Sequence, residues 1–263
     1  MDNSADRNGS ISLNRSGAAL NKLKQPNGTN SMKSVFRKTC KLLTIAALLS
    51  HTGLVVSSIQ AEELPVVFQD DFENGVQRWQ PTDAAKWKVT KQADGSNAYH
   101  LLGKSDYQPP HRSPHSISLI KDLVVGDFEL TARVQTLQTS RGHRDMCIFF
   151  GYQDPANFYY VHLGQETDPH ANQIFIVNDA PRVAISESTN AGTPWKDGTW
   201  HQVKVVRRVA DGLIEIYFDD MDKPQMVTHN REFQFGQIGL GSFDDLGLWD
   251  DVVVRGTLAT ETR

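Results

Sequence analysis

The sequence has 263 residues, of which 39% are hydrophobic, and a formal net charge of −4 at pH 7. The charge is uneven: the residues after Ala61 hold 19 Lys plus Arg and 29 Asp plus Glu, which gives this part a net charge of −10. Because this part has no basic stripe that could replace the counterions of nucleic acid or of anionic lipid head groups, its composition argues against both as partners.

The first 61 residues have the composition of a leader sequence rather than of a folded domain. Residues 1–31 are rich in Asn, Ser, Gly and Lys, which predicts a disordered extension or, equally, a wrongly assigned start codon. Residues 32–61 are typical of a signal peptide, with a basic n-region, an apolar h-region from Leu42 to Val56 and small residues before the cleavage site at Ala61. A retained N-terminal anchor is the alternative, although the apolar run is short for a bilayer span of about 20 residues. We therefore expect a secreted or periplasmic protein with a single mature domain, residues 62–263, that has no membrane segment.

The two cysteines predict no intramolecular disulfide. Cys40 falls within the signal segment, so Cys147 is alone after cleavage. It lies in a run of alternating apolar residues, where a lone thiol is typically a small core residue. The stability of the mature domain is therefore expected to come from its core, with a metal ion as the other candidate.

The mature part shows no sustained helical period. A dozen short β-branched and aromatic runs alternate with turn signals, from residues 66–72 to residues 252–255. Asp211-Gly212 is a tight-turn signature that predicts a hairpin between two of these runs. Many short strands without crossover helices predict an all-β antiparallel sandwich.

Two long segments resemble known domains. They are WKDGTWHQVKVVRRVADGLIEIYFDD, residues 195–220, and FQFGQIGLGSFDDLGLWDDVVVRG, residues 233–256. Their W-H-x-V, Y-x-D, G-x-I-G-x-x-S and D-x-V patterns resemble the laminin-G-like and glucanase-like members of the concanavalin A-like superfamily. GDFEL, Gly126–Leu130, is similar to an early strand that is also found in 3-keto-disaccharide hydrolase-like domains. The resemblance covers about residues 66–256 and implies a two-sheet jelly roll, but it leaves the function open because the superfamily hosts lectins, glycoside hydrolases and polysaccharide lyases.

One enzymatic class can be tested directly. Glucanase-like relatives carry alternate carboxylates, E-x-D-x-E or E-x-D-x-x-E, on one strand face, about 5 Å apart for a retaining mechanism. The sequence has no such motif. The nearest pair, Glu215 and Asp219, would be about 13 Å apart at 3.3 Å per residue, so a retaining glucanase is not expected.

The stretch His143–Leu163 combines the strongest strand signal with the most polar side chains. Alternation up to Phe150, the turn residues GYQDPAN and an aromatic run from Phe158 predict a β-hairpin. By alternation, Tyr160 and His162 share one face of it. Together with neighbouring strands, the hairpin supplies a polar cluster expected to line a groove on the concave sheet: His111, Arg112, His115, Arg144, Asp145, Tyr160, His162, Gln173 and Arg182.

This cluster suits two kinds of sugar chemistry. It can bind a glycan by hydrogen bonds while aromatic rings stack on the sugar. It can also catalyse elimination if arginine and glutamine neutralise a uronate carboxylate and a base removes the C5 proton. The catalytic candidates are then His162, Tyr160, Arg144 and Asp145. Jelly-roll lyases typically carry Q-I-H, whereas Gln173 and Ile174 are followed here by Phe175, and strand-end polar groups satisfied by loop backbone are the structural alternative.

Two further predictions concern single sites. Trp195 lies in a polar loop, where its ring either stacks on sugar or covers a sheet end. The carboxylates near the first and last strands predict a structural calcium ion held mainly by Asp71, Asp245 and Asp250, with a solvated acidic edge as the alternative.

Two classes of function remain after this reading. The first is a secreted carbohydrate-binding protein that recognises a poly- or oligosaccharide on its concave sheet and uses no organic cofactor. The second is a saccharide-active enzyme, either a polysaccharide lyase or a 3-keto-disaccharide hydrolase-like glycosidase. A laminin-G-like protein-interaction module needs only the fold and stays open.

Overall fold

The computed structural model describes residues 63–259. The predictions of an N-terminal extension and of a signal peptide concern residues 1–61 and lie outside the described residues. Within the described range, no helix has the length and the apolar character needed to span a bilayer.

The described chain is almost entirely antiparallel β-structure, as the sequence predicts. One 3-10 turn, Ala84–Lys86, precedes the third strand. The strands are β1 (Val66–Asp70), β2 (Trp79–Pro81), β3 (Trp87–Lys91), β4 (Asn97–Leu101), β5 (Ser116–Thr136), β6 (Cys147–Asp154), β7 (Asn157–His162), β8 (Gln173–Asn178), β9 (Val183–Ala184), β10 (Ser188–Thr189), β11 (His201–Arg208), β12 (Leu213–Phe218), β13 (Met226–His229), β14 (Gly236–Ser242) and β15 (Gly247–Leu258).

The 21-residue strand β5 joins two layers. Its first part pairs with β2 and β14, and β14 continues through β6, β7 and β8 to β9; we call this the first layer. Its second part pairs with β11 and β15, next to β12, β13, β4 and β1; this is the second layer. Asp122, between the two parts, has a φ of 56° and redirects the strand. The result is the predicted two-layer jelly-roll sandwich.

The hairpin β6–β7 has two buried faces. Ile148, Phe150, Tyr159 and Val161 belong to the main core between the layers, where the rings of Phe150 and Phe128 are 5.9 Å apart. The alternate residues point away from the second layer and form a separate cluster: Ile117, Leu119, Cys147, Phe149, Tyr152, Phe158, Tyr160, Phe175 and Val177. We call this the outer cluster. Cys147 in it is a buried free thiol, as the sequence predicts.

The segment 103–115, between β4 and β5, crosses the outer cluster; we call it the covering segment. Near its start, the backbone N–H of Ser105 donates to Ser116 Oγ at 3.1 Å. At its far end, His111 Nε2 lies 3.3 Å from Asp179 Oδ1, beyond β8. A stretch without regular structure therefore closes the outer face of the first layer.

Candidate functional site

A cleft opens where the covering segment ends. It consists of two adjoining cavities of about 200 and 260 Å³ that share Arg112 and Phe243. The smaller cavity is also lined by Arg141, His143, His162, His170, Arg182 and Asp244. The larger cavity is also lined by Gln108, Pro109, Pro110, His111, Ser113 and His115. Strand ends and loops from distant parts of the sequence thus converge on the half-buried ring of Phe243.

Arg182 is the central cation of the cleft. Its guanidinium carbon lies 4.6 Å from the ring centre of Phe175 and 4.6 Å from that of Phe243, between the two faces. Its Nη1 donates to the Tyr160 hydroxyl at 2.7 Å. Two aromatic faces attract a cation through their quadrupoles, and the phenol oxygen fixes its orientation. The guanidinium is therefore held in place mainly by neutral groups.

Tyr160 and His162 lie directly below Arg182 and are nearly closed to solvent. Tyr160 stacks on Phe175 with ring centres 5.0 Å apart, and burial raises its pKa well above the usual value. His162 is 3% exposed, and burial lowers its pKa to about 3. Its Nδ1 has no hydrogen-bond partner within the described residues. Both rings are therefore neutral near pH 7.

Asp145 positions the strand end that carries Phe243. It is fully buried and accepts hydrogen bonds from the Ser242 hydroxyl at 3.1 Å and from the Phe243 backbone N–H at 3.0 Å. The Cys147 thiol donates to it at 3.1 Å, and His162 Nε2 lies 3.7 Å away. Burial raises the pKa of Asp145 to about 6. Its role here is to fix neighbouring groups, because no part of it reaches solvent.

An acidic cluster lies behind the cleft, but not where the sequence predicted it. Asp145, Asp244 and Asp245 each place an oxygen within 4.8 Å of the others. The guanidinium of Arg141 donates to Asp244 at 3.1 Å and also contacts Asp245. Burial, with the charge of Asp145 adding, raises the pKa of Asp245 to about 6. The cluster therefore already holds one cation, the Arg141 side chain.

The predicted calcium ligands Asp71, Asp245 and Asp250 do not converge. Asp250 pairs in register with Arg133 of β5, whose Nη1 is 3.5 Å from its carboxylate. Burial, to which the charges of Asp251 and Asp71 add, raises the pKa of Asp250 to about 6, so Asp71 is its neighbour. Asp245 precedes β15 and is held in the Arg141 cluster, away from this pair. The prediction of one three-carboxylate site is therefore wrong: among the described residues, the acidic side chains close enough to share an ion are Asp145, Asp244 and Asp245.

Two predicted binding residues point elsewhere. Arg144 is 1% exposed, and its Nη1 lies 2.5 Å from Asp197 Oδ1, in the loop before β11. Trp195 is 8% exposed, donates from Nε1 to the Leu163 carbonyl at 2.7 Å and packs edge-on against Phe218. Neither lines the cleft. Placing Arg144 in the groove and giving Trp195 an exposed ring were wrong because both side chains are packed into the domain.

The remaining predicted residues lie at or beside the cleft. Arg112 and His115 line it, and the ring of His115 meets Phe243 edge-on with centres 5.4 Å apart. Burial lowers the pKa of His115. Gln173 is paired with His162 across β7 and β8, but its Nε2 donates to the Asp168 carbonyl at 3.2 Å. That Arg112, His115, Gln173 and Arg182 bind substrate stays a prediction.

The sequence reading missed Phe243, Arg141, His143 and His170. Phe243 follows the quoted G-x-I-G-x-x-S strand directly, and Arg141 and His143 belong to the same polar run, SRGHRD, as Arg144. A signal was therefore present for three of them. What was lacking was the knowledge that the end of β14 and the β5–β6 connection meet.

No protein-family model and no curated protein matches the sequence. Solved structures match in fold. The cellulose-induced protein Cip1 is 11% identical with a TM-score of 0.51, over 72% of this chain and 97% of that one. A carbohydrate-binding module, CBM66, from Bacillus subtilis is 17% identical with a TM-score of 0.49, over 68% of this chain and 96% of that one. The winged bean acidic lectin complexed with methyl-α-D-galactose is 11% identical with a TM-score of 0.49, over 73% and 98%.

Such low identities speak to fold alone. The chain has the predicted fold, a two-layer jelly-roll sandwich.

Proposed function

We propose that this protein, a jelly-roll domain of the concanavalin A-like type, binds a saccharide in the cleft beside Phe243. Phe243 is the observation that carries the proposal: its half-buried ring lines both cavities and is surrounded by nitrogen donors. Sugars are recognised by an aromatic face against the ring hydrogens and by polar groups against the hydroxyls. Carbohydrate binding is what the names of two compared structures state of those proteins; for this chain, the support is the cleft.

The proposal is binding rather than catalysis. Elimination would need a base that reaches the substrate, whereas Tyr160 is 0% exposed with a strongly raised pKa and His162 is 3% exposed. Asp145 is fully buried. No observation on the described residues favours the lyase, the glycosidase or the protein-interaction alternative. Secretion, inferred from residues 32–61, is part of the proposal, because a glycan-binding protein with a signal peptide would meet its ligand outside the cytoplasm.

A glycan array followed by isothermal titration calorimetry tests the proposal. We expect Phe243→Ala to weaken binding at least tenfold, because the stacking face is removed. The matched control is Trp200→Ala: Trp200 is also half-buried and also carries an arginine, Arg133, 4.8 Å from its ring, but it lies at the second layer. Binding that is unaffected by Phe243→Ala, or lost equally in the control, would contradict the site. An array without any bound glycan would overturn the function.

A structural calcium ion, predicted from the sequence, has one candidate place near the cleft, the cluster of Asp145, Asp244 and Asp245. Carboxylate oxygens are suitable ligands for Ca²⁺, but the ion would have to displace the guanidinium of Arg141. Thermal melts with and without a chelator test this: a lowered midpoint supports the ion, and an unchanged midpoint removes it from the proposal. An Arg141→Gln variant tested in the same way shows whether the carboxylates bind Ca²⁺ once the guanidinium is gone.

A further inference from the structure

Two arginines in the cleft have no acidic partner among the described residues. The third arginine that lines the cleft, Arg141, is neutralised by Asp244 and Asp245. Arg182 contacts two rings and a phenol, and none of the ion pairs of residues 63–259 includes it. Arg112 is exposed, and no ion pair in this range includes it either. Guanidinium groups bind carboxylates and sulfates through paired N–H donors, so unneutralised arginines in a concave site favour an anion.

The two arginines are fixed relative to one another. The backbone N–H of Arg182 donates to the Arg112 carbonyl at 3.1 Å, which joins the β8–β9 connection to the covering segment. Both side chains line the smaller cavity. This local excess of positive charge is opposite in sign to the net charge of −10 on the residues after Ala61. An anionic ligand is therefore attracted to this place and repelled by much of the remaining surface.

The other walls of the smaller cavity add little charge of their own. His143 Nε2 lies 2.6 Å from Asp168 Oδ2, and the exposed Asp244 faces Arg141. His162 is neutral at its base, and its Nδ1 has no partner within the described residues. Because that nitrogen is buried, the ring closes the base of the cavity as a neutral group. The cavity thus combines a cationic rim with an uncharged polar floor.

Resting on the saccharide-binding function proposed above, we propose that the cleft selects a sugar unit that carries an anionic substituent, a carboxylate or a sulfate, and that Arg112 and Arg182 bind this group. Phe243 provides the stacking face. A neutral sugar would occupy the same volume but would leave both guanidinium groups without a counter-charge, which lowers its affinity relative to the acidic sugar.

A glycan panel with three arms tests the inference: uronate oligosaccharides, sulfated oligosaccharides, and neutral ones that include methyl-esterified oligogalacturonate. We expect the bound glycans to belong to the first two arms, and the arm that binds identifies the anionic substituent as a carboxylate or a sulfate. We also expect methyl esterification of a uronate oligosaccharide to abolish its binding. For a glycan that binds, Arg112→Gln and Arg182→Gln should each weaken binding about 10- to 100-fold, the usual effect of losing a charge-assisted hydrogen bond. Raising the salt concentration should weaken it further.

The variants separate binding from folding. Arg112→Gln changes an exposed side chain and leaves the backbone contact to Arg182, so its melting midpoint should equal that of the wild type. Arg208→Gln is the matched control, since Arg208 is an exposed arginine paired with Asp211 outside the cleft. If neutral glycans bind as tightly as acidic ones, and Arg112→Gln and Arg182→Gln leave that binding unchanged, the inference fails while the saccharide-binding function stands. If no glycan binds in any arm, both fail.

Discussion

The two faces of the hairpin β6–β7 are equally buried but differently covered. On the inner face, Phe150 is 1% exposed and packs against strands of the second layer. On the outer face, its neighbour Phe149 is 0% exposed and belongs to the outer cluster. Strands of the second layer make part of the inner contacts, and the connection between β13 and β14 adds Phe233, whose ring centre lies 5.0 Å from that of Tyr159. Among the described residues, the outer face has no strand layer above it; the covering segment, held at Ser116 and at Asp179, closes it.

This difference decides where a ligand can bind. The inner face is closed throughout, since Ile148, Phe150, Tyr159 and Val161 are each at most 1% exposed. The covering segment ends at Arg112 to His115, and beyond it the cleft opens beside Arg182 and Phe243. Binding sites therefore belong to the end of the irregular cover, which agrees with the general placement of function on loops over a rigid scaffold.

The largest effect is expected from a matched pair of substitutions on β6. Phe150→Ala should lower the free energy of unfolding by about 3–5 kcal/mol, because the regular layers cannot move into the cavity. Phe149→Ala should cost about 1 kcal/mol less, because the covering segment can shift towards the space. Urea denaturation of the two variants measures both values. Equal losses, or a larger loss for Phe149→Ala, would show that the cover is as rigid as a strand layer.

The next effect is the pH dependence that Asp145 contributes to stability. Burial raises the pKa of Asp145 in the folded protein to about 6, against 3.8 for an ordinary aspartate, so the folded protein binds its proton more tightly than the unfolded chain does. Its contribution favours folding below pH 4 and is lost as the pH rises through 6, by up to about 3 kcal/mol. Asp145→Asn removes this term. The variant should therefore gain stability relative to the wild type as the pH is raised from 4 to 7.

Comparing how the stabilities of the variant and of the wild type change with pH separates the contribution of Asp145 from that of its neighbour His162. His162 has the opposite dependence, since its lowered pKa destabilises the fold as the pH falls below 6.5, but it is present in both proteins. Unfolding midpoints in urea at several pH values give the difference curve. A difference between Asp145→Asn and wild type that stays constant with pH would contradict the buried, protonatable carboxylate.

A smaller effect is expected at the contact that holds Arg182. Tyr160→Phe removes the phenol oxygen that accepts from Arg182 Nη1 at 2.7 Å and keeps the ring stack on Phe175. We expect a loss of about 1.5 kcal/mol in unfolding free energy, the lower end of the usual range for a hydrogen bond to a charged group. Tyr217→Phe is the control, since that hydroxyl donates to Glu215 in the second layer. Equal losses in the two variants would argue against a special role for the Arg182 contact.

The smallest effect is predicted at Arg144. Only its Nη1 is paired, with a largely exposed carboxylate of Asp197, while Nε and Nη2 are buried without a partner. Replacing a poorly satisfied buried charge by an apolar side chain of similar length is often neutral or stabilising. Arg144→Met should change the free energy of unfolding by less than about 1 kcal/mol and leave glycan binding unchanged. Loss of binding in a folded Arg144→Met variant would restore Arg144 to the site.

Strand alternation predicted the outer face correctly and the cleft only in part. It placed Tyr160 and His162 on the face of Phe158, and Gln173 on that of Phe175, as observed. It treated residues 116–120 and 128–134 as separate strands, whereas they are two parts of β5. Alternation says which residues share a face, but not which loop covers that face. Arg144 and Trp195 were misplaced for this reason, because both follow or precede strands in connections whose packing depends on partners distant in sequence.

The shared strand β5 has a consequence for how the chain reaches its native state. Its second half lies beside β15, and Asp127 accordingly meets Thr257 across 130 residues of sequence. Such pairings close long loops, and topologies dominated by them fold slowly, typically in milliseconds to seconds. Since β5 belongs to both layers, neither layer can form completely before the other has formed. The domain should therefore assemble, and be degraded, as a single cooperative unit.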